Sequence, residues 1–115
     1  MTDLLVDTDV LIDHVRGART LVSSRHEVAY SIITRCELFA GTRADQNAIR
    51  QFLAPFEEMP LDRQIAERAG RLRREGLKIA DAVIAATALE HRLTLMTRNH
   101  RDFERVRGLK LRSPD

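Results

Sequence analysis

The stretch Leu4-Leu5-Val6-Asp7-Thr8-Asp9-Val10-Leu11-Ile12 joins two hydrophobic patterns at an acid. Leu4-Leu5-Val6 is a short unbroken apolar run, as expected of a strand covered on both faces. Beyond it, Val10, Leu11, Ile12 and Val15 suit a helix that Thr8 or Asp9 can cap and Gly17 can stop. With Thr8 and Asp9 available for capping, Asp7 is left at the carboxyl end of the strand, free for another task.

The same strand-to-helix step recurs downstream. Residues 27–30 suit a second strand, leading to Ser31 as cap for a helix over Ile32–Ala40, with Gly41 as its stop. A helical pattern covers 44–53 and ends at Pro55. Residues 56–61 suit a strand, although Pro60 limits its pairing. Asp62 caps a highly charged helix that Gly76 ends, and Ile79–His91 reads as a helix rich in alanine and isoleucine. A strand over 93–96, a short helix over 99–105 and a strand over 109–111 complete the chain. Such alternation predicts an α/β fold with a parallel sheet and helices on both faces. Ligand sites in such sheets lie beyond the carboxyl ends of the strands, which is where Asp7 and the residues after Met96 fall.

The totals set bounds. At 115 residues, 43% of them apolar, residues 1–115 fit one domain with one ordinary core. A chain this size buries only about two-thirds of its unfolded surface, so a buried charge needs a partner or must be neutralised. The N-terminal segment carries acids where a secretory signal needs a basic flank. No run approaches the roughly 18–20 apolar residues that span a bilayer. Cys36 is the only cysteine, so no internal disulfide can form. A cytoplasmic location is expected. The net charge is only +2, but 17 arginines stand against two lysines, and a planar guanidinium suits phosphate.

Three acids stand out. Glu37 lies at the edge of an apolar arc formed by Ile32, Ile33, Cys36, Phe39 and Ala40, and its helix starts beside a strand end. Asp81 interrupts a segment, Ile79-Ala80-Asp81-Ala82-Val83-Ile84-Ala85-Ala86-Thr87-Ala88-Leu89, that is apolar almost all round and therefore expected to be buried. Complementing the helix dipole contributes about 0.3–1 kcal/mol at exposed sites, a poor offset for burying a carboxylate. Asn99 and Asp102 follow the 93–96 strand; one is expected to cap the short helix and either could face the acids. Asp9 and Asp13 are expected on the surface of the first helix. Carboxylates gathered together stay ionised only with positive charge among them. An all-oxygen set without thiolate or imidazole suits Mg2+ or Mn2+, either of which can activate water for in-line attack on a phosphodiester.

Other groups point elsewhere. His14, His26, His91 and His100 show no zinc-pair spacing and read as surface residues, and Cys36 reads as a core residue. Arg63, Arg68, Arg71, Arg73 and Arg74 decorate one charged helix, where pairing with Asp62, Glu67 and Glu75 is expected. Arg98, Arg101, Arg105 and Arg107 instead follow the strand that leads to Asp102, and a basic rim around an acidic centre suits a nucleic-acid backbone. With one tyrosine and four phenylalanines, base stacking is limited. There is no phosphate-binding glycine loop.

Four segments, in order, carry a family resemblance: Leu5-Val6-Asp7-Thr8-Asp9-Val10-Leu11-Ile12, Ser31-Ile32-Ile33-Thr34-Arg35-Cys36-Glu37-Leu38, Ile79-Ala80-Asp81-Ala82-Val83-Ile84-Ala85-Ala86-Thr87-Ala88 and Leu95-Met96-Thr97-Arg98-Asn99-His100-Arg101-Asp102-Phe103. The chain resembles PIN-domain ribonucleases, and more closely the VapC-like toxins of toxin–antitoxin pairs. The resemblance implies a three-layer α/β/α sandwich and Mg2+- or Mn2+-dependent endoribonuclease activity. It implies Asp7, Glu37 and Asp81 as catalytic metal ligands, with Asn99 or Asp102 at the fourth position and Thr8 and Thr97 as hydroxyls beside the site. A homodimer and a cognate antitoxin are implied as well. Two alternatives compete: a non-catalytic RNA- or partner-binding module of the same fold, and a haloacid-dehalogenase-type phosphohydrolase in which Asp7-Thr8-Asp9 would supply nucleophile and acid.

Overall fold

The computed structural model describes residues 2–15, 27–41 and 45–114. Strand β1 (Thr2–Val6) lies at the centre of a sheet completed by β2 (Glu27–Ser31), β3 (Glu57–Met59), β4 (Thr94–Met96) and β5 (Leu111–Arg112). The order is β3-β2-β1-β4-β5, and every pairing is parallel. The chain builds outward from β1 to β2 and β3, then returns to the other side of β1 for β4 and β5. The direction of winding therefore reverses between β1 and β4, and the strand ends there leave a crevice.

Alternation along the central strands explains the layers. Leu5, Ala29 and Leu95 point into one apolar cluster, whereas Leu4, Val6, Tyr30 and Met96 point into another on the opposite face. Helices α4 (Arg63–Arg74) and α5 (Ile79–His91) cover the first face through Ile65, Ala69, Leu72 and the apolar side of α5. Helices α1 (Thr8–Val15) and α3 (Gln46–Leu53) cover the second through Val10, Leu11, Ile49 and Leu53. The result is the expected α/β/α sandwich around a parallel sheet. Strand β3 does form, limited to three residues that end before Pro60. Helix α6 (His100–Phe103) is shorter than the expected 99–105 span.

Local signals account for most boundaries. The Ser31 hydroxyl accepts from the Ile33 amide at 3.1 Å and starts α2 (Ile32–Ala40), and Asp62 does the same for Ile65 at 2.8 Å at the start of α4. Gly76 has φ +106°, a left-handed conformation that lets the chain reverse between α4 and α5. The expected Gly17 stop, the Ala44 start and His26 lie outside the described residues.

Three expectations are corrected. Helix α1 begins at Thr8, so neither Thr8 nor Asp9 caps it from outside; the Asp7 carbonyl accepts the first helical bonds, from Val10 and Leu11. Cys36 is exposed and is not part of the core. The reason is the roll of α2. Its fully buried residue is Thr34, while Ile32, Cys36 and Phe39 line an open groove with Arg35 and Arg50. On its other side Arg35 ion-pairs with Glu58 and donates to the Tyr30 hydroxyl at 3.1 Å, which donates to Glu58 at 2.8 Å. These polar anchors act beside the apolar contacts of Ile33, Leu38 and Phe39 in setting how α2 faces the sheet. Helix α5 is fully covered from Ala82 to Ala88, but its first residue, Ile79, is 58% exposed, and Asp81 is only half-buried. In α4, Arg68 pairs across to Glu90 of α5 at 2.8 Å.

Candidate active site

Asp7 stands where β1 ends, 7% exposed, and is held from both sides of the β1–β4 crevice. Its backbone N–H donates to the Met96 carbonyl at 2.9 Å, extending the strand pairing by one residue. One carboxylate oxygen accepts from the Thr8 amide at 2.8 Å, and the other accepts from the Thr97 hydroxyl at 2.8 Å. Thr97, itself fully buried, receives the Asn99 amide on its hydroxyl at 3.0 Å. The carboxyl of Asp7 is pushed above the ordinary range chiefly by burial; the Thr97 and Thr8 bonds oppose this, and Asp9 and Glu37 add repulsion.

Glu37 reaches the same edge from α2. Its carboxylate accepts from the Thr8 hydroxyl at 2.7 Å, and the Thr8 and Thr34 hydroxyls are 2.9 Å apart. Asp102 arrives from α6, its carboxylate accepting from the Asn99 side-chain amide at 2.7 Å. Asn99 occupies the N-cap position of α6, but its side chain is turned to Asp102 instead of capping the backbone.

Asp81, in the first turn of α5, feels all of these groups. Its carboxyl is pushed up to about 6, by burial first and then by Asp7, Asp102 and Glu37, with Lys78 opposing. Four acids from well-separated segments therefore share one electrostatic environment with one opposing cation acting on Asp81. Among the described residues no three acid, histidine or cysteine side chains are gathered closely enough to hold a metal ion as they stand. The donors are all oxygen and carry excess negative charge, a combination that fits a hard dication retaining part of its water shell.

The remaining sequence candidates are distributed around this edge. Arg98 ion-pairs with Asp13 and donates to the Asp9 carbonyl at 3.1 Å, tying α1 to the segment after β4. Arg101 and Arg105 are exposed; the Arg105 guanidinium lies beside the Gly76 turn that leads to Asp81. His100 hydrogen-bonds Ser113 at 3.2 Å. Sequence reasoning missed Thr34 and the charge of Lys78. Thr34 lies outside the apolar arc, so the available signal was only its spacing, a hydroxyl one helical turn before Glu37.

Fold and site together define an α/β protein with an acid-lined crevice at the point where its sheet changes winding direction. The chain belongs to the PIN-domain family, whose model matches residues 4–109. It is similar to Ribonuclease VapC10 of Mycobacterium tuberculosis, 41% identical over 120 residues that cover 93% of this chain and 90% of the relative. Among solved structures it is similar to a chain of a toxin–antitoxin complex from Klebsiella pneumoniae, with a TM-score of 0.78, 34% identity and 98% of each chain covered. A chain from the DNA-bound VapBC of Salmonella typhimurium superposes with a TM-score of 0.84 over 100% of both chains; at 22% identity that likeness speaks to the fold alone. The chain is thus a VapC-like PIN domain, which sets aside the haloacid-dehalogenase alternative. No helix among the described residues is long and apolar enough to cross a membrane.

Proposed function

We propose that this chain is an endoribonuclease, the toxin of a toxin–antitoxin pair, that uses Mg2+ or Mn2+ held by Asp7, Glu37, Asp81 and Asp102. The observation that carries this reading is geometric: Thr8 links Asp7 to Glu37, and Thr97 and Asn99 link Asp7 to Asp102, while Asp81 stands near enough to be repelled by all three. Four acids so placed repel one another, which a bound cation would relieve. Bound there, a hard dication supplies water activation and shields the charge that grows on the phosphorus oxygens.

The protein's own groups do the positioning. Thr97 and the Thr8 amide hold Asp7 in place, the Thr8 hydroxyl holds Glu37, and Asn99 holds Asp102. Asp102 is taken as the fourth ligand and Asn99 as its support, because the Asn99 side-chain amide is spent on the Asp102 carboxylate. Arg98, Arg101 and Arg105 form the basic rim that attracts an RNA backbone. A protein antitoxin that covers the acidic crevice and a homodimer complete the proposal; the antitoxin is supported by the toxin–antitoxin complex to which the chain is similar.

The test is cleavage of RNA by the purified chain with Mg2+, with Mn2+ and with excess chelator. Cutting is expected with either metal and is lost with chelator. Cleavage that persists undiminished in chelator would overturn the metal mechanism. Chelator-insensitive RNA binding without any cutting would establish the non-catalytic module instead.

A further inference from the structure

Two threonines are fully buried inside helices, and they use their hydroxyl protons differently. Thr87 of α5 donates to the Val83 carbonyl one turn back at 2.7 Å, the local bond by which a helical threonine satisfies itself. Thr34 of α2 instead faces the Thr8 hydroxyl of α1 at 2.9 Å. The direction of that bond follows from stoichiometry. A hydroxyl has one proton, and an ionised carboxylate only accepts. The Thr8 proton is already committed to Glu37 at 2.7 Å, so the proton between the two threonines must come from Thr34.

We propose that Thr34 is a positioning residue for the metal site: its hydroxyl donates to Thr8, fixing the Thr8 rotor so that Thr8 donates to the Glu37 carboxylate. This rests on the metal-nuclease reading above and deepens it. Thr34 and Glu37 are three residues apart, hence neighbours on one face of α2, and the Thr8 hydroxyl stands between them. A donor that itself receives a hydrogen bond is also a stronger donor. The arrangement parallels that at Asp7, where the Asn99 amide feeds Thr97 and Thr97 feeds the carboxylate. Each of these two acids is therefore held by a threonine whose own orientation is set by a further donor.

The test compares Thr34→Val, which keeps the shape and removes the hydroxyl, with Thr34→Ser, which keeps the hydroxyl. Thr87→Val serves as a control for losing a buried helix hydroxyl outside the site. Thr34→Val is expected to weaken Mn2+ binding by calorimetry roughly 10-fold and to lower kcat by a similar factor, with KM for RNA unchanged. Thr34→Ser is expected to restore both, and Thr87→Val to leave both at the wild-type value. In a Thr8→Val background, Thr34→Val should produce no further loss of Mn2+ affinity, since the two hydroxyls act as one unit. Wild-type Mn2+ affinity in Thr34→Val overturns the proposal, as does a Thr34→Ser variant impaired to the same degree, which would assign the effect to methyl packing. If Thr34→Val does not fold, Thr34→Ala carries the same expectation, and unchanged Mn2+ affinity there is equally fatal. Failure of the wild type and Thr87→Val to bind Mn2+ at all sinks the metal reading and the relay together; binding by both with no effect at Thr34 sinks the relay alone.

Discussion

Helices α2 and α5 each deliver one acid to the same crevice, yet they are held by different physics. Helix α5 is covered from Ala82 to Ala88 and is placed by apolar packing against the sheet and α4. Its orientation tolerates Asp81 because that residue sits in the first turn, half-exposed at the sheet edge. Helix α2 turns Ile32 and Cys36 outward, packs only through the partly buried Ile33, Leu38 and Phe39, and is held in addition by directed polar bonds: Ser31 with the Ile33 amide, Arg35 with Glu58 and Tyr30, Thr34 with Thr8. Packing is non-directional and sets a helix in its layer. Hydrogen bonds are directional and can set the rotation on which the aim of Glu37 depends.

The largest expected effect tests the acid on the packed helix. Asp81→Asn keeps the shape and removes the charge, so the fold should persist while RNA cleavage falls by more than about 100-fold. Full activity in that variant would remove Asp81 from the mechanism and with it the functional equivalence of the two helices. Asp13→Asn, in a residue paired with Arg98 away from the four acids, should change the rate little.

A second pair of substitutions asks whether packing is as unequal as the two surfaces suggest. Ile84 is 1% exposed on α5, and Ile32 is 37% exposed on α2. Ile84→Ala should cost about 2–5 kcal/mol of folding stability by chemical denaturation. Ile32→Ala should cost under about 1 kcal/mol. Equal losses would mean that α2 is placed by apolar contact after all.

The same inequality explains what could be read from the sequence. Segments whose apolar residues serve in any orientation were legible: Leu4-Leu5-Val6 as a central strand, and 82–88 as a buried helix. The caps at Ser31 and Asp62 were legible too, because a side chain three or fewer residues from its target leaves a local signature. The roll of α2 was not. Its arc of Ile32, Cys36 and Phe39 predicts a buried face, and only distant partners show why Thr34 turns inward to Thr8 instead and Arg35 is held by Tyr30 and Glu58. Asp7 was correctly placed at a strand end, but its freedom from capping was argued on a helix start one residue late. The shared environment of Asp7, Glu37, Asp81 and Asp102 followed from the family pattern. Spacing alone could not have brought together residues on four elements whose order in the sheet was unknown.

Protons give a third test of the acid on α5. Asp81 titrates near 6 in the fold against 3.8 for an unperturbed carboxyl, so between these values the folded state binds more protons than the unfolded state. Without metal, its contribution to stability is therefore full below about 3.8 and is lost as the pH rises through about 6. Melting curves in chelator should decline across that window, and Asp81→Asn should flatten the decline. Adding Mn2+ should raise the melting temperature most above pH 6, where the carboxylates are charged. A decline of equal depth in Asp81→Asn would assign the pH response to other acids.

The smallest expected effect concerns how the two helices end. Helix α2 stops at Gly41 with φ −95°, a conformation open to any residue, whereas α5 stops at Arg92 with φ 56° and ψ 42°, the left-handed conformation that favours glycine. The arginine is retained there although the Arg92 amide donates to the Ala88 and Leu89 carbonyls, bonds that a glycine would make equally well. Arg92→Gly relieves the Cβ crowding of that conformation but gives the unfolded chain more freedom, so the net gain is limited to about 0.5–1 kcal/mol. A shift of the urea midpoint to higher concentration with an unchanged slope is the expected result. Gly41→Ala, whose new Cβ would stand 3.2 Å from the Glu37 carbonyl, should change the stability by less than about 0.5 kcal/mol in either direction. If Arg92→Gly instead lowers stability, the arginine side chain must hold the end of α5 by contacts worth more than the strain. The packed helix would then share with α2 a dependence on directed polar bonds.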